Sequence, residues 1–245
     1  FQTPMWRALD QGSFTFGWFD IFSLLTLVMY VVMLGGASLC IFIYLGVHFY
    51  KTMYTDEGYL THTLPVTQMQ ILGSKVLISG LWMVIITAGM YLSGFLLLFT
   101  LVSLFMGDGS SLASVWREFS SSVWEMLLIM QDDLNFNVWR YLATLVISLA
   151  VGPFIAIVTL FGAISLGQLF SKHRVLMAVL CYIGILVADG MVTSLFRSIW
   201  TAIGYYSVGS YMNSSLDVGM VVDAAVAVAM FVTSYYVIKN KLNMV

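Results

Sequence analysis

Between Asp20 and Lys51 the chain runs for 30 residues, Ile21 to Tyr50, without a formal charge. As a helix such a run is roughly 45 Å long at ~1.5 Å per residue, more than the ~30 Å hydrocarbon core of a bilayer. Four further apolar runs of span length follow, so spans are predicted over about residues 20–50, 76–106, 141–170, 175–197 and 217–238. In lipid every backbone N–H and C=O must be paired within the protein, which leaves helices for segments of this length. Composition agrees: 9% of residues are charged, the mean hydropathy is +0.95, and soluble domains carry about 25% charged residues. The fold class read from the sequence is an all-α, polytopic helical membrane bundle forming one transmembrane domain over residues 1–245. The first residue is Phe1, so a further span is expected upstream, which would make six. Residues before Asp20 are too polar and turn-rich to span, and no cleavable signal peptide is visible.

Thr55 to Thr67, reading TDEGYLTHTLPVT, is a polar interruption between the first two spans and so belongs at a membrane surface. Thr55 is placed to cap a short helix whose first turn carries Asp56 and Glu57, the charges that suit a helix N-terminus. Pro65 stops that helix after Leu64. Thr67 with Gln70 then has capping-box spacing, and Val66 with Ile71 that of a hydrophobic staple, so a second helix starts at once. As a functional element this is a docking site for a soluble partner; otherwise it is an ordered membrane loop.

Leu112 to Met130 reads differently from the spans. Leu112, Val115, Trp116, Phe119, Val123, Met126, Leu127 and Met130 fall on one helical face, with Arg117, Glu118, Ser121, Ser122 and Glu125 mostly opposite. An amphipathic helix lying flat in an interface is predicted, with Trp116, Phe119, Val123 and Leu127 turned inward. Gln131 to Asn137 is read as a polar turn, Gly152-Pro153 as a kink, and Ser198 to Ser215 as an irregular surface segment. Gly35 and Gly36 are read as a bend or close-packing site. Placing the Thr55 element, the Lys172 turn and the C-terminus on one side gives that side Lys51, Lys75, Lys172, Arg174, Lys239 and Lys241. The other side holds Arg7, Arg117, Arg140 and Arg197. The positive-inside rule then makes the first side cytoplasmic and the amphipathic helix external.

Asp189 and Asp223 lie inside spans, where carboxylates are functional candidates by default. Arg197 follows Asp189 by two turns on roughly the same face, so a structural ion pair, or a protonated buried acid, is the plain alternative to an ion- or proton-coupling role. His48, His62 and His173 stand alone near the cytoplasmic surface. Cys40 and Cys181 are read as small buried apolar side chains, and no Cys/His grouping suggests a metal. HExxH, G-x-S-x-G and G-x-x-x-x-G-K-[ST] are all missing, so any ATP used would be bound by another chain. No basic cluster suggests nucleic acid. The 16 methionines and 37 aromatics suit an adaptable surface for lipophilic ligands, or simply lipid contact.

Glu57-Gly-Tyr-Leu-Thr-His-Thr-Leu-Pro-Val-Thr67, followed by Ile71-Leu-Gly-Ser-Lys-Val76, resembles the membrane subunits of bacterial ABC-2 type exporters, of the kind found in Firmicutes. The permeases that export amphipathic cytolytic peptides, the phenol-soluble modulins, are similar in style. The resemblance implies a permease subunit in a bacterial plasma membrane with its C-terminus cytoplasmic. It would pair with a second permease, identical or not, and with an ABC ATPase that holds ATP and Mg. It implies export of amphipathic or lipophilic substrates, for example cytolytic or antimicrobial peptides. The stretch Asp56, Glu57, Gly58, Tyr59, Leu60, Leu64 and Pro65 would be the coupling helix, with Tyr59, Leu60 and Leu64 as apolar anchors. Five visible spans and the external amphipathic helix depart from the family pattern. The rivals are a secondary transporter working through Asp189 and Asp223, which should show inverted repeats, and an intramembrane enzyme, which lacks a catalytic set.

Overall fold

A computed structural model of the chain describes residues 18–55, 58, 65–106, 112–134, 137–170, 173–203 and 208–240. Among them it forms six helices: α1 (Trp18–Tyr54), α2 (Gln68–Met106), α3 (Leu112–Leu134), α4 (Val138–Gly167), α5 (Arg174–Ile203) and α6 (Val208–Asn240). Five of these, α1, α2, α4, α5 and α6, are long and apolar enough to cross a bilayer. The chain is thus a multi-pass helical membrane protein.

Local chemistry sets several helix ends. At α2 the Gln70 N–H donates to Thr67 Oγ1 (3.4 Å) and the Thr67 N–H to Gln70 Oε1 (3.0 Å), the reciprocal capping box expected from the sequence. Asn137 caps α4 by accepting from the Arg140 N–H at 3.0 Å. His173 opens α5 from the left-handed region, φ 56°, and its carbonyl accepts the Met177 N–H at 2.9 Å.

The Thr55 hydroxyl donates back to the Lys51 carbonyl at the end of α1; apart from Gly58, the short helix expected after it lies outside the described residues. Several other expectations are corrected. The polar turn at Gln131–Asn137 is helical as far as Leu134, and the segment after Ser198 is helical to Ile203 and again from Val208. The start of the second segment shows how a helix tolerates such polarity. Ser194 and Ser198 donate to carbonyls three or four residues back, at 2.8 and 2.9 Å, so polar side chains persist in helix without exposing unpaired groups to lipid. Gly35 and Gly36 have no neighbour within 4 Å of where a Cβ would stand; close helix contact falls on other glycines. Cys40 lies on an exposed face of α1 rather than in a core. Helix α4 continues through Pro153.

The structure divides into two compact units. The first takes α1 up to Ile41, α2 from Ala88 and α3 as far as Leu128. Its described contacts centre on rings. Phe95 meets Trp116 and Phe119 edge-on, with centroids 6.1 and 6.2 Å apart, and Phe99 lies 6.1 Å from Trp116. Two of the four α3 residues expected to turn inward, Trp116 and Phe119, therefore pack on α2. Leu127 is half-buried, while Trp116 and Val123 remain 50% and 41% exposed.

The second unit holds Phe42–Thr87 and Ile129–Val245. Within it α4 packs on α5 and α6, which also touch each other. Its buried residues gather toward the end where α1, α4 and α6 finish and α2 and α5 begin: Phe49, Met53, Leu72, Ile157, Phe161 and Ile238 are almost fully enclosed. Phe49 and Phe161 stack with centroids 3.8 Å apart and planes within 6°. Tyr54 donates to Ser165 Oγ at 2.7 Å, and Ser165 in turn donates to the Phe161 carbonyl at 2.8 Å. Phe161→Ala is expected to cost about 3–5 kcal/mol, the usual range for an emptied Phe site. Unfolding by SDS titration measures it, and a loss under ~1 kcal/mol would mean that the stack does not hold α1 to α4.

Candidate functional site

Two places carry the residues singled out in the sequence. The first is a cleft between α5 and α6. On α5, Ile185, Asp189, Thr193 and Arg197 follow at intervals of four and are the half-buried positions of that part of the helix, while most of its other side chains are exposed. The stripe that α5 turns toward its neighbours thus changes from apolar to polar along its length. On α6, Gly219 and Val222 are buried and Asp223 is half-buried. Asp189, Thr193, Arg197, Gly219 and Asp223 line a cleft of about 510 Å³, whose exposed lip is Gly190, Ser194 and Ser198. The Asp223 carboxyl lies within electrostatic reach of both the Asp189 carboxyl and the Arg197 guanidinium. Gly219 makes room for Arg197: a Cβ there would stand 3.3 Å from Arg197 Nη2.

The expected Asp189–Arg197 ion pair does not form. Asp189 Oδ1, Thr193 Oγ1 and Arg197 Nε are each buried with no hydrogen-bond partner. Leaving such groups unpaired costs about 1–3 kcal/mol apiece, and Asp189 and Asp223 both lie in segments read as spans. A buried donor and two buried acceptors left open side by side suit a site built for something that enters it. The sequence reading found the three charges but missed Thr193 and the serine lip. The signal was present, since Asp189, Thr193 and Arg197 are spaced i, i+4, i+8.

Among the described residues the one salt bridge joins Arg140 of α4 to Asp217 of α6, with Thr144 Oγ1 also donating to Asp217 at 3.2 Å. Arg140 is 61% exposed, and such pairs contribute at most about 1 kcal/mol; this is a clasp between the start of α4 and the third turn of α6. His48 lies parallel to the Tyr44 ring at 6.1 Å. A broader, mainly apolar depression of about 700 Å³ runs over Tyr50, His173, Arg174, Val175, Leu176 and Val179. No three of His, Cys, Asp or Glu among the described residues come together to hold a metal.

The second place is the polar stretch between α1 and α2. Asp56, Glu57, Tyr59, Leu60 and Leu64 lie outside the described residues. Gly58 is described and buried: its N–H donates to the Thr55 carbonyl at 2.8 Å, and a Cβ on it would lie 2.7 Å from the Met53 carbonyl oxygen. Only glycine fits there. Pro65 is exposed. The two helices that carry the stretch are tied to each other by Lys75 Nζ, which donates to Thr52 Oγ1 at 2.8 Å. Comparison with family models, with curated proteins and with solved structures finds no match for the chain.

Proposed function

We propose that this chain is the permease subunit of an ATP-driven ABC exporter, moving amphipathic or lipophilic substrates, cytolytic or antimicrobial peptides among them, out of a bacterial cell. It has no nucleotide site of its own. ATP and Mg belong to a partner ATPase, which docks on residues 55–67, and a second permease completes the unit. The stretch and the C-terminus face the cytoplasm, and α3 lies on the external side. The observation that carries the reading is how residues 55–67 are mounted. Their flanking helix ends are joined by the Lys75–Thr52 hydrogen bond. The end of α1 is fixed to α4 by the Phe49–Phe161 stack and the Tyr54–Ser165 hydrogen bond. A force applied to the stretch would pass into the bundle rather than be lost in a loose loop. Lys51, Lys75, Arg174 and Lys239 sit at this same end, which supports a cytoplasmic orientation.

The second reading, an ion- or proton-coupled secondary transporter, is favoured by the Asp189–Arg197–Asp223 cleft. Purification from native membranes decides between them. The permease reading expects an ATPase with a phosphate-binding loop to co-purify in about equal amount, with its hydrolysis stimulated by amphipathic peptides. A chain that purifies without an ATPase and carries its substrate down an ion gradient would overturn it. Orientation is checked by a cysteine placed beside Asn243, which should react with an impermeant maleimide after lysis and not in intact cells.

A further inference from the structure

We infer that the cleft between α5 and α6 binds a primary ammonium group of the transported amphiphile. The inference rests on the permease reading only in taking the ligand to be a transported substrate. Two carboxyl groups, Asp189 and Asp223, within hydrogen-bond reach of each other, face one guanidinium, Arg197, so acid groups outnumber the resident cation and a cation is the favoured guest. Size suits a guest larger than a bare ion, because about 510 Å³ lies within the ~300–1,000 Å³ range of small-ligand sites. The donor set excludes a chelated metal, since no three ligating side chains meet among the described residues. Among the described residues no aromatic ring lines the cleft, so they build no cage of the kind that selects quaternary ammonium.

A primary ammonium brings three N–H donors. The cleft offers acceptors to match: Asp189 Oδ1 and Thr193 Oγ1, both buried and unpartnered, and the Asp223 carboxylate. Arg197 Nε, the third unpartnered atom, is a donor and takes a carbonyl oxygen beside the ammonium. A peptide supplies both groups, from its free amino terminus or from a lysine near its backbone. Apolar surfaces of α5 and α6 outside the cleft, such as Met191, Leu195 and Val221, leave the rest of an amphiphile in an apolar setting.

The test uses the full chain in phosphatidylcholine nanodiscs, with dodecylammonium as probe, dodecanol as its uncharged counterpart and empty discs as the blank. Saturable binding above the blank is expected for dodecylammonium and not for dodecanol. Asp189→Asn and Asp223→Asn should each weaken it by about tenfold or more, while Asp223→Glu should bind within about threefold of the unmodified chain. Elution as a single species checks folding, and if an Asn variant fails to fold, the dodecylammonium–dodecanol contrast and Asp223→Glu still decide. Equal binding of the two probes, or unchanged affinity in well-folded Asn variants, overturns the inference. Two peptides separate the sources: one with a free amino terminus and no lysine, one N-acetylated with a single lysine. Whichever displaces dodecylammonium identifies its source. Displacement by neither, or loss of binding on adding phosphatidylethanolamine, assigns the cleft to a lipid or a simple amine and sinks the peptide reading. ATPase co-purification is independent of all these outcomes, so the two ideas can fail separately.

Discussion

Gly167→Ala is expected to prevent the α4–α5 hairpin from closing, and with it most recovery of folded protein. A Cβ on Gly167 would stand 2.6 Å from Ala178 Cβ and 2.7 Å from both its Cα and its N. These are backbone and Cβ atoms, so no rotamer change relieves the clash. The connection between the helices is short, since α4 ends at Gly167 and α5 begins at Arg174, and cannot let one helix slide past the other. Overpacking costs about 1–3 kcal/mol where side chains can adjust; here they cannot, and the loss should lie at or above the upper end. Gly162→Ala is the milder neighbour. Its Cβ would meet Met230 Cε at 2.5 Å, which can swing away, and Met230 Cβ at 2.7 Å, which cannot, so only part of the clash is relieved. Gly35→Ala is the opposite control: with nothing within 4 Å it should be neutral or stabilising by up to ~1 kcal/mol through helix propensity. Recovery of a single eluting species and its thermal midpoint should rank Gly35→Ala above Gly162→Ala above Gly167→Ala. Full recovery of Gly167→Ala would show that the two helices do not approach as closely as described.

The contrast between Gly35 and Gly167 shows what the sequence could and could not reveal. The five spans were legible because uncharged runs of that length have one solution in lipid. The start of α2 was legible because Thr67 and Gln70 are a local signal that no distant contact overrides. Which glycines touch a neighbour was not legible. Apolar residues cover all sides of a span, so no periodicity marks the packed face. Gly35-Gly36 looked like a contact site and meets nothing, while Gly80, with a Cβ position 2.2 Å from the Phe154 ring, drew no notice. The cleft was half legible. Charges within spans stand out, but Thr193 and Ser198 are unremarkable until Asp189 and Arg197 are placed on the same stripe. The segment after Ser198 was misread because its polarity suggested a loop, whereas a serine whose hydroxyl bonds back to its own helix, as Ser194 and Ser198 do, is tolerated within one.

Tyr59→Ala together with Leu64→Ala should abolish stable association with the ATPase while leaving the permease folded. On the proposed permease reading the chain receives work only through contact with its ATPase, and residues 55–67 are a polar segment between two helix ends tied by the Lys75–Thr52 hydrogen bond. Tyr59, Leu60 and Leu64 are its apolar side chains of a size to fill a groove. Anchors of that kind cost about 2 kcal/mol or more each on truncation, so losing two should weaken binding by about a thousandfold. Asp56→Asn removes a rim charge and should shift association far less, mainly through its rate and salt dependence. Gly58→Ala offers a separate route to the same end. It removes no anchor, but its Cβ would meet the Met53 carbonyl at 2.7 Å, so the stretch must leave α1 along another path and present Tyr59 and Leu64 wrongly. Met53 itself is fully buried and gives little way. Folding should survive the anchor changes, because the proposed place of residues 55–67 is at the membrane surface, outside the bilayer. Pull-down of the ATPase and peptide-stimulated hydrolysis, measured for each variant, test this. Unchanged association and hydrolysis in the Tyr59→Ala/Leu64→Ala chain would falsify the docking role and leave residues 55–67 as a connection between two spans.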